Sequence, residues 1–198
     1  MNSFVKKRDD YKPLLWIPKN IFLDIKIYED FSLINSEILF KKNDLPYSQN
    51  LDLDNFIELN GVNLETIKFS VLVDNDKSID VDLKTLQKKN EVLLLPVSNN
   101  ATLIKIISQV KIFPKENTSL EGLYESNQMF CTQCEPEGFR KITWFTDRPD
   151  CLAIFKVRIE ASKRYSTMLS NGNLIEEGIV TDKGINSERH FKIWSDPF

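Results

Sequence analysis

Histidine occurs once in these 198 residues, cysteine three times and glycine six times. A single histidine, His190, rules out H-E-x-x-H and leaves a hydrolytic triad nothing but a residue in the strand-like run Arg189-His190-Phe191-Lys192-Ile193-Trp194. No Gly-rich dinucleotide turn and no phosphate-binding P-loop is present. Three cysteines, an odd number, do not make a secreted disulfide framework. Apolar runs such as Val92-Leu93-Leu94-Leu95 are far short of a membrane span, which excludes a membrane-spanning helix. The opening MNSFVKKRDDY lacks the apolar core of a signal peptide. No basic excess exists either: 26 Lys and Arg against 29 Asp and Glu give a net charge of −3, with both signs scattered, which is no nucleic-acid footprint. These absences point to a soluble, reduced, cytoplasmic protein that binds neither membrane nor nucleic acid and performs no catalysis by itself.

What is there is β-structure. A polar leader, residues 1–12, precedes one domain over residues 13–198. Ile21 to Tyr28 alternates apolar and polar positions with period two, the pattern of a half-buried strand. Ser32 to Phe40 answers it across Glu29-Asp30, and a polar loop with Pro46 follows. Further strands are expected at Phe56–Leu59, Leu64–Asp74, Ile79–Leu83, Glu91–Val97, Ala101–Phe113, Ala153–Glu160, Tyr165–Leu169, Leu174–Val180 and His190–Trp194. Asn60-Gly61, Asn75-Asp76, Asn99-Asn100, the run Ser170 to Asn173, and Asp182-Lys183-Gly184 supply turns. Thr85 to Asn90 has room for one helical turn. About ten short strands with turn signals every 8–12 residues predict an all-β, antiparallel sandwich or barrel. The chain stops directly after the last strand, as a domain with a missing continuation would.

One stretch departs from that rhythm. Leu120 to Asp150 reads LEGLYESNQMFCTQCEPEGFRKITWFTDRPD, which looks irregular, and irregular surface backbone is where binding groups are displayed. Cys131-x-x-Cys134 has the spacing of half a zinc site or of a redox pair. Zinc needs four ligands, and the remaining candidates, Cys151 and His190, make a Cys3His set arithmetically possible at a spacing that fits no compact zinc module. A redox pair wants a strand–helix junction, which this pattern lacks. Cys131 and Cys134 are therefore read as structural thiols, and a Cys3His module as the alternative that predicts stoichiometric metal. Asp147-Arg148-Pro149-Asp150 reads as a structural turn with an internal ion pair through Arg148. Phe130, Phe139, Trp144 and Phe145 are expected to clamp the stretch to the sheets.

Gln133 and Glu135 differ in kind. Pro136 pushes Glu135 to extended backbone, and residues two apart in extended backbone point the same way. A carboxylate beside an amide oxygen suits capture of an ammonium group. The residues alone leave the alternative open: a loop glutamate in water, paired with Arg140 or Lys141.

At these residues the sequence resembles the N-terminal domain of the bacterial aminopeptidase N family, a branch of the zinc-dependent gluzincin aminopeptidases. The matching runs are Leu120 to Asp150, Phe155 to Ala161, Leu169-Ser170-Asn171-Gly172-Asn173 and the closing Trp194-Ser195-Asp196-Pro197-Phe198. Asp10-Tyr11-Lys12-Pro13 and Leu59-Asn60-Gly61-Val62-Asn63-Leu64 fit the same domain. The resemblance covers nearly the whole chain and is strongest after residue 119. It implies a saddle-shaped β-sandwich, with 120–150 as an active-site loop segment. It also implies a missing C-terminal catalytic domain that holds the zinc, so that this chain binds no cofactor, supplies no catalytic residue and is inactive alone. Glu135 would bind the α-amino group of peptide substrates with a free N-terminus, and Gln133 would line the first side-chain pocket. Where many relatives have alanine this chain has Pro136, and the family loop tends to be cis there; proline lowers the cost of cis from about 3 to about 0.5–1 kcal/mol. A cis Glu135–Pro136 bond is expected, and a monomer. The rival expectation is a stand-alone β-sandwich binding or adaptor module without peptidase activity.

Overall fold

The computed structural model describes residues 8, 11–43, 56–74, 76–89, 91–181 and 188–197. The period-two runs become long strands: β1 (Trp16–Ile27), β2 (Ser32–Lys42), β4 (Glu65–Val73), β8 (Leu103–Ile112), β11 (Ile154–Ser162), β12 (Asn173–Ile179) and β13 (Arg189–Asp196). The short strands are β3 (Phe56–Asn60), β5 (Ile79–Asp80), β6 (Gln87–Lys89), β7 (Val92–Pro96), β9 (Gly122–Ser126) and β10 (Met129–Gln133). No helix among the described residues is long and apolar enough to cross a membrane.

Alternation decides which way each strand faces. In β2, Ile34, Ser36, Ile38 and Phe40 are buried, as are Ile104, Ile106, Ser108 and Val110 of β8, while the residues alternating with them are half-exposed. Eight strands form one sheet in the order β12-β13-β11-β1-β2-β8-β4-β5. A second sheet, β3-β7-β6, brings Ile57, Leu59, Leu93 and Leu95 into the same core, which closes a two-layer sandwich. Among the described residues the hairpin β9–β10 pairs only with itself.

Most pairs are antiparallel, but β1 and β11 run parallel, from Asn20 beside Ile154 to Lys26 beside Glu160. A parallel neighbour requires a long crossover. Here everything from residue 28 to residue 153 serves as that crossover, so the 134–153 segment is the return path that feeds β11 into the sheet. That segment is anchored at three places. Ile142, Trp144 and Phe145 enter the core. Phe145 exchanges two backbone hydrogen bonds with Asn60 (2.7 and 3.1 Å), so the segment extends the end of β3. Thr143, wholly buried, meets Ser36 at 3.0 Å and Ser108 at 3.3 Å, while the two serines are 2.8 Å apart.

Gly61 serves closeness as well as turning: a Cβ there would lie 2.4 Å from the Trp144 ring. Trp144 in turn donates its indole N–H to Thr66 Oγ1 at 2.9 Å.

Several expectations are corrected. Tyr165–Leu169 is not a strand; Met168 is buried and Leu169 is left exposed, so its apolar residues anchor a loop rather than pair. The Ile79–Leu83 strand shrinks to Ile79–Asp80, because the Asp82 carboxylate accepts from Lys84 N (3.0 Å) and starts a 3-10 turn at Leu83–Thr85. The helical turn expected over Thr85 to Asn90 gives way to β6 over Gln87–Lys89. The stretch taken as irregular begins with the β9–β10 hairpin. The Pro46 loop, the turn at Asp182-Lys183-Gly184, Asn75, Asn90 and most of the leader lie outside the described residues.

Candidate functional site

The site is a six-residue loop, Gln133 to Gly138, between the end of β10 and a 3-10 turn at Phe139–Lys141. Its shape is set by local chemistry. Asn127 and Gln128 both take positive φ (49° and 63°), which reverses the chain with the twist a two-residue hairpin needs. After the hairpin the Glu135–Pro136 peptide is cis, and Glu137 takes φ 64°. Gly138 then donates its N–H to Cys134 O (3.0 Å) and closes the loop. A Cβ on Gly138 would sit 2.4 Å from Gln133 O and 2.9 Å from Cys134 Cα, backbone atoms with nowhere to go.

Within this loop Gln133 donates its amide N–H to the Glu135 carbonyl at 2.7 Å. Only the NH2 of an amide can donate to a carbonyl, so the Gln133 amide orientation is fixed and its oxygen is left as an acceptor. The Glu135 side chain is exposed. Among the described residues no hydrogen bond or ion pair engages its carboxylate.

The neighbouring cations are occupied. The Arg140 Nε–H and backbone N–H both donate to Asp147 Oδ2 at 3.0 Å, and Nη2 donates to Asp147 O at 3.1 Å. Arg140 also faces Glu137 at 3.4 Å and Glu91 at 3.8 Å. Lys141 holds Glu121 at 2.7 Å and Ser119 at 2.9 Å. The pairing of Glu135 with Arg140 or Lys141 is therefore not the one formed. Asp147, nearly buried, is itself placed by its backbone N–H, which donates to Asn60 Oδ1 at 3.0 Å.

Arg148 finds its partners outside the loop. It makes a two-pronged pair with Asp150 (2.9 and 2.7 Å) and donates to Lys12 O (3.0 Å), while Tyr11 O–H donates to Asp150 at 3.0 Å. Burial pushes Asp150 up, but the bonds from Arg148 and Tyr11 outweigh it and hold the carboxyl below its ordinary range. This cluster ties the start of the domain to the end of the 120–150 stretch.

Cys131, Cys134 and Cys151 are free and half-buried. Burial, with the nearby charges of Asp147 and Glu135, pushes the Cys134 thiol up to about 11, and burial pushes Cys151 up to about 12. Neither is a ready thiolate, the form that redox exchange and metal binding use. His190 Nε2 lies 2.9 Å from Tyr165 O. Among the described residues no three His, Cys, Asp or Glu side chains converge to hold a metal, so the alternative Cys3His set of Cys131, Cys134, Cys151 and His190 is not assembled. The aromatics fill the space beneath the loop: Phe139 stacks edge-on against Phe145 and Phe155, with ring centres 4.9 and 5.9 Å apart.

Sequence reasoning singled out Gln133 and Glu135, read Asp147 and Asn60 only as turn residues, and passed over Thr143. The available signal was Thr143 and Thr146-Asp147 set around two large aromatics, since polar residues in an otherwise core-forming run are retained only with partners.

Known proteins agree with this architecture. Residues 36–193 match the Peptidase M1 N-terminal domain family. The chain is 34% identical over 200 residues to Aminopeptidase N of Haemophilus influenzae, covering all of this chain and 21% of that protein. It is 38% identical over 144 residues to Aminopeptidase N of Caulobacter vibrioides, covering 71% of this chain and 15% of that protein. Its structure is similar to that of Legionella pneumophila aminopeptidase A, solved in complex with aspartic acid, with a TM-score of 0.76 and 26% identity over 96% of this chain and 21% of that one. The chain thus spans about a fifth or less of the length of these relatives. With the fold and the sequence matching along nearly the whole chain, it belongs to the Peptidase M1 N-terminal domain family.

Proposed function

We propose that this chain is the N-terminal domain, residues 13–198, of a cytoplasmic zinc metallopeptidase that removes N-terminal residues from peptides. Its part is to bind the substrate's free α-ammonium group through Glu135, with Gln133 lining the first side-chain pocket. One observation carries the reading: a carboxylate held on a tightly built loop that nothing in the described domain uses, while both adjacent cations are engaged elsewhere. An ammonium group has three donors and no acceptor, so the Glu135 carboxylate and the Gln133 amide oxygen together match it.

The chemistry follows from position. A carboxylate that fixes the N-terminal ammonium sets how far into the site the chain reaches, so cleavage occurs one residue in, which makes an exopeptidase. A blocked amine offers no positive charge and leaves the carboxylate without a partner. Zinc would polarise the scissile carbonyl and activate water. Its ligands, the general base and the oxyanion donor belong to a catalytic domain outside the described residues, and the residues here bind and orient.

The test is hydrolysis of an alanyl anilide by the full-length protein carrying Glu135→Ala. Losing one partner of a desolvated charge pair costs roughly 2–5 kcal/mol, and about 1.4 kcal/mol is tenfold. The expected drop in kcat/KM is about 30-fold to several thousand-fold. An N-acetylated substrate should be a poor substrate for the parent and lose little more in the variant. A drop in kcat/KM below about threefold on the free-amine substrate would make Glu135 a spectator.

A further inference from the structure

Arg140 lies five residues from Glu135, and its guanidinium already touches Glu137 at 3.4 Å, two residues from Glu135. Left to itself, so close a cation would settle on an exposed carboxylate that has no other partner. In the structure it does not, because Asp147 holds the guanidinium by two hydrogen bonds, Nε–H to its carboxylate and Nη2 to its carbonyl, and the same carboxylate oxygen takes the Arg140 backbone N–H. Asp147 is the most buried of the three acids facing Arg140: its side chain is 11% exposed, against 56% for Glu91 and 65% for Glu137. Buried partners hold a guanidinium more firmly than exposed ones, where water competes.

We propose that Asp147 is a positioning residue for Glu135: it sequesters the Arg140 guanidinium, which would otherwise neutralise the carboxylate that the substrate's ammonium requires. The inference rests on the reading of Glu135 as the amine anchor. It adds that the availability of that anchor is built, by a second carboxylate that never touches substrate. Besides burial, both carboxylates bear on the thiol of Cys134, the residue before Glu135, and push it up. Asn60 completes the arrangement by holding the Asp147 backbone N–H.

The informative substitution is Asp147→Asn. It keeps the side-chain shape and an oxygen to accept from the Arg140 backbone N–H, and removes the charge that retains the guanidinium. In the full-length protein, KM for a free-amine anilide should rise about tenfold, equivalent to about 1.4 kcal/mol, with kcat within twofold. The rise comes from Arg140 competing with the substrate ammonium for Glu135. Adding Arg140→Gln to Asp147→Asn should bring KM back to within about threefold of the parent, because the competitor is gone. A merely structural role predicts the opposite, a double variant at least as impaired as the single one. An unchanged KM in Asp147→Asn, a fall in kcat instead, or no recovery in the double variant would each overturn the proposal. If Glu135→Ala itself has no effect, the anchor reading falls first; if Glu135→Ala behaves as expected and Asp147→Asn does not, only the sequestration falls.

Discussion

Three hydroxyls meet where the 134–153 segment crosses the large sheet. Ser36 and Ser108, cross-strand partners on β2 and β8, would by themselves satisfy each other at 2.8 Å. Thr143 adds a third oxygen from the site segment and ties that segment to the centre of the sheet, in a place from which water is excluded. A buried hydroxyl network is favourable only while its members stay paired. Thr143→Val keeps the shape and removes the tie, and because the two serines retain each other the loss should be about 1–2 kcal/mol. Urea unfolding of the chain measures it; a midpoint equal to the parent's would show that the hydroxyl does no more there than a methyl.

At the scale of strands, the outer face of the sheet carries a chain of charges across β1, β11 and β13. Arg158 bonds Asp24 at 2.6 Å and Glu160 at 2.9 Å, and Arg189 bonds Glu160 at 2.8 Å. Burial raises the Glu160 carboxyl, but the bonds from Arg189 and Arg158 outweigh it and hold it below its ordinary value of 4.5. A lowered carboxyl contributes stability that is fully present above pH 4.5 and is lost as pH falls through the folded-state value. Glu160→Gln should therefore destabilise the chain by about 3 kcal/mol at neutral pH, and the gap to the parent should narrow steadily as unfolding is followed into acid. A gap that stays constant to pH 3 would overturn it. The strands carrying this network were legible one by one, since β1, β2, β8 and β11 all alternate with period two. Their neighbours were not, because a parallel β1–β11 pair joins residues more than a hundred positions apart and local patterning says nothing of that. The β9–β10 hairpin escaped for another reason: it has a two-residue turn without glycine and a second strand with no fully buried side chain. Gln133 and Glu135 could be picked out by residue type and spacing. Arg140's partner could not, because Asp147, seven residues on, is brought to it by the turn at Phe139–Lys141 and the bridge to Asn60.

For the molecule as a whole, the arrangement of strands predicts where it opens. β2 and β8 each have a strand on both sides and alternate side chains that are wholly buried. Among the described residues β12 is an edge strand with nearly every side chain exposed, and β9–β10 is a hairpin paired only with itself. Exchange of a backbone amide requires its hydrogen bond to open, and openings are cheapest where buried apolar contact is least. Amides in β2 and β8 should therefore exchange slowest, and those of β10 and β12 at least tenfold faster, equivalent to about 1.4 kcal/mol. This bears on the site, because the Gln133–Gly138 loop is suspended between the two regimes. Its far end is fixed through Ile142, Thr143 and Phe145, whereas its near end continues the hairpin. Motion of Glu135, the proposed amine anchor, would then enter from β10, and an added ammonium ligand that bridges Glu135 and Gln133 should slow exchange in the full-length protein at Met129–Gln133 more than at Ile142–Phe145. Equal protection of the hairpin and of β8 without ligand would place the hairpin in the same cooperative unit as the core, and the anchor would be rigid from both ends.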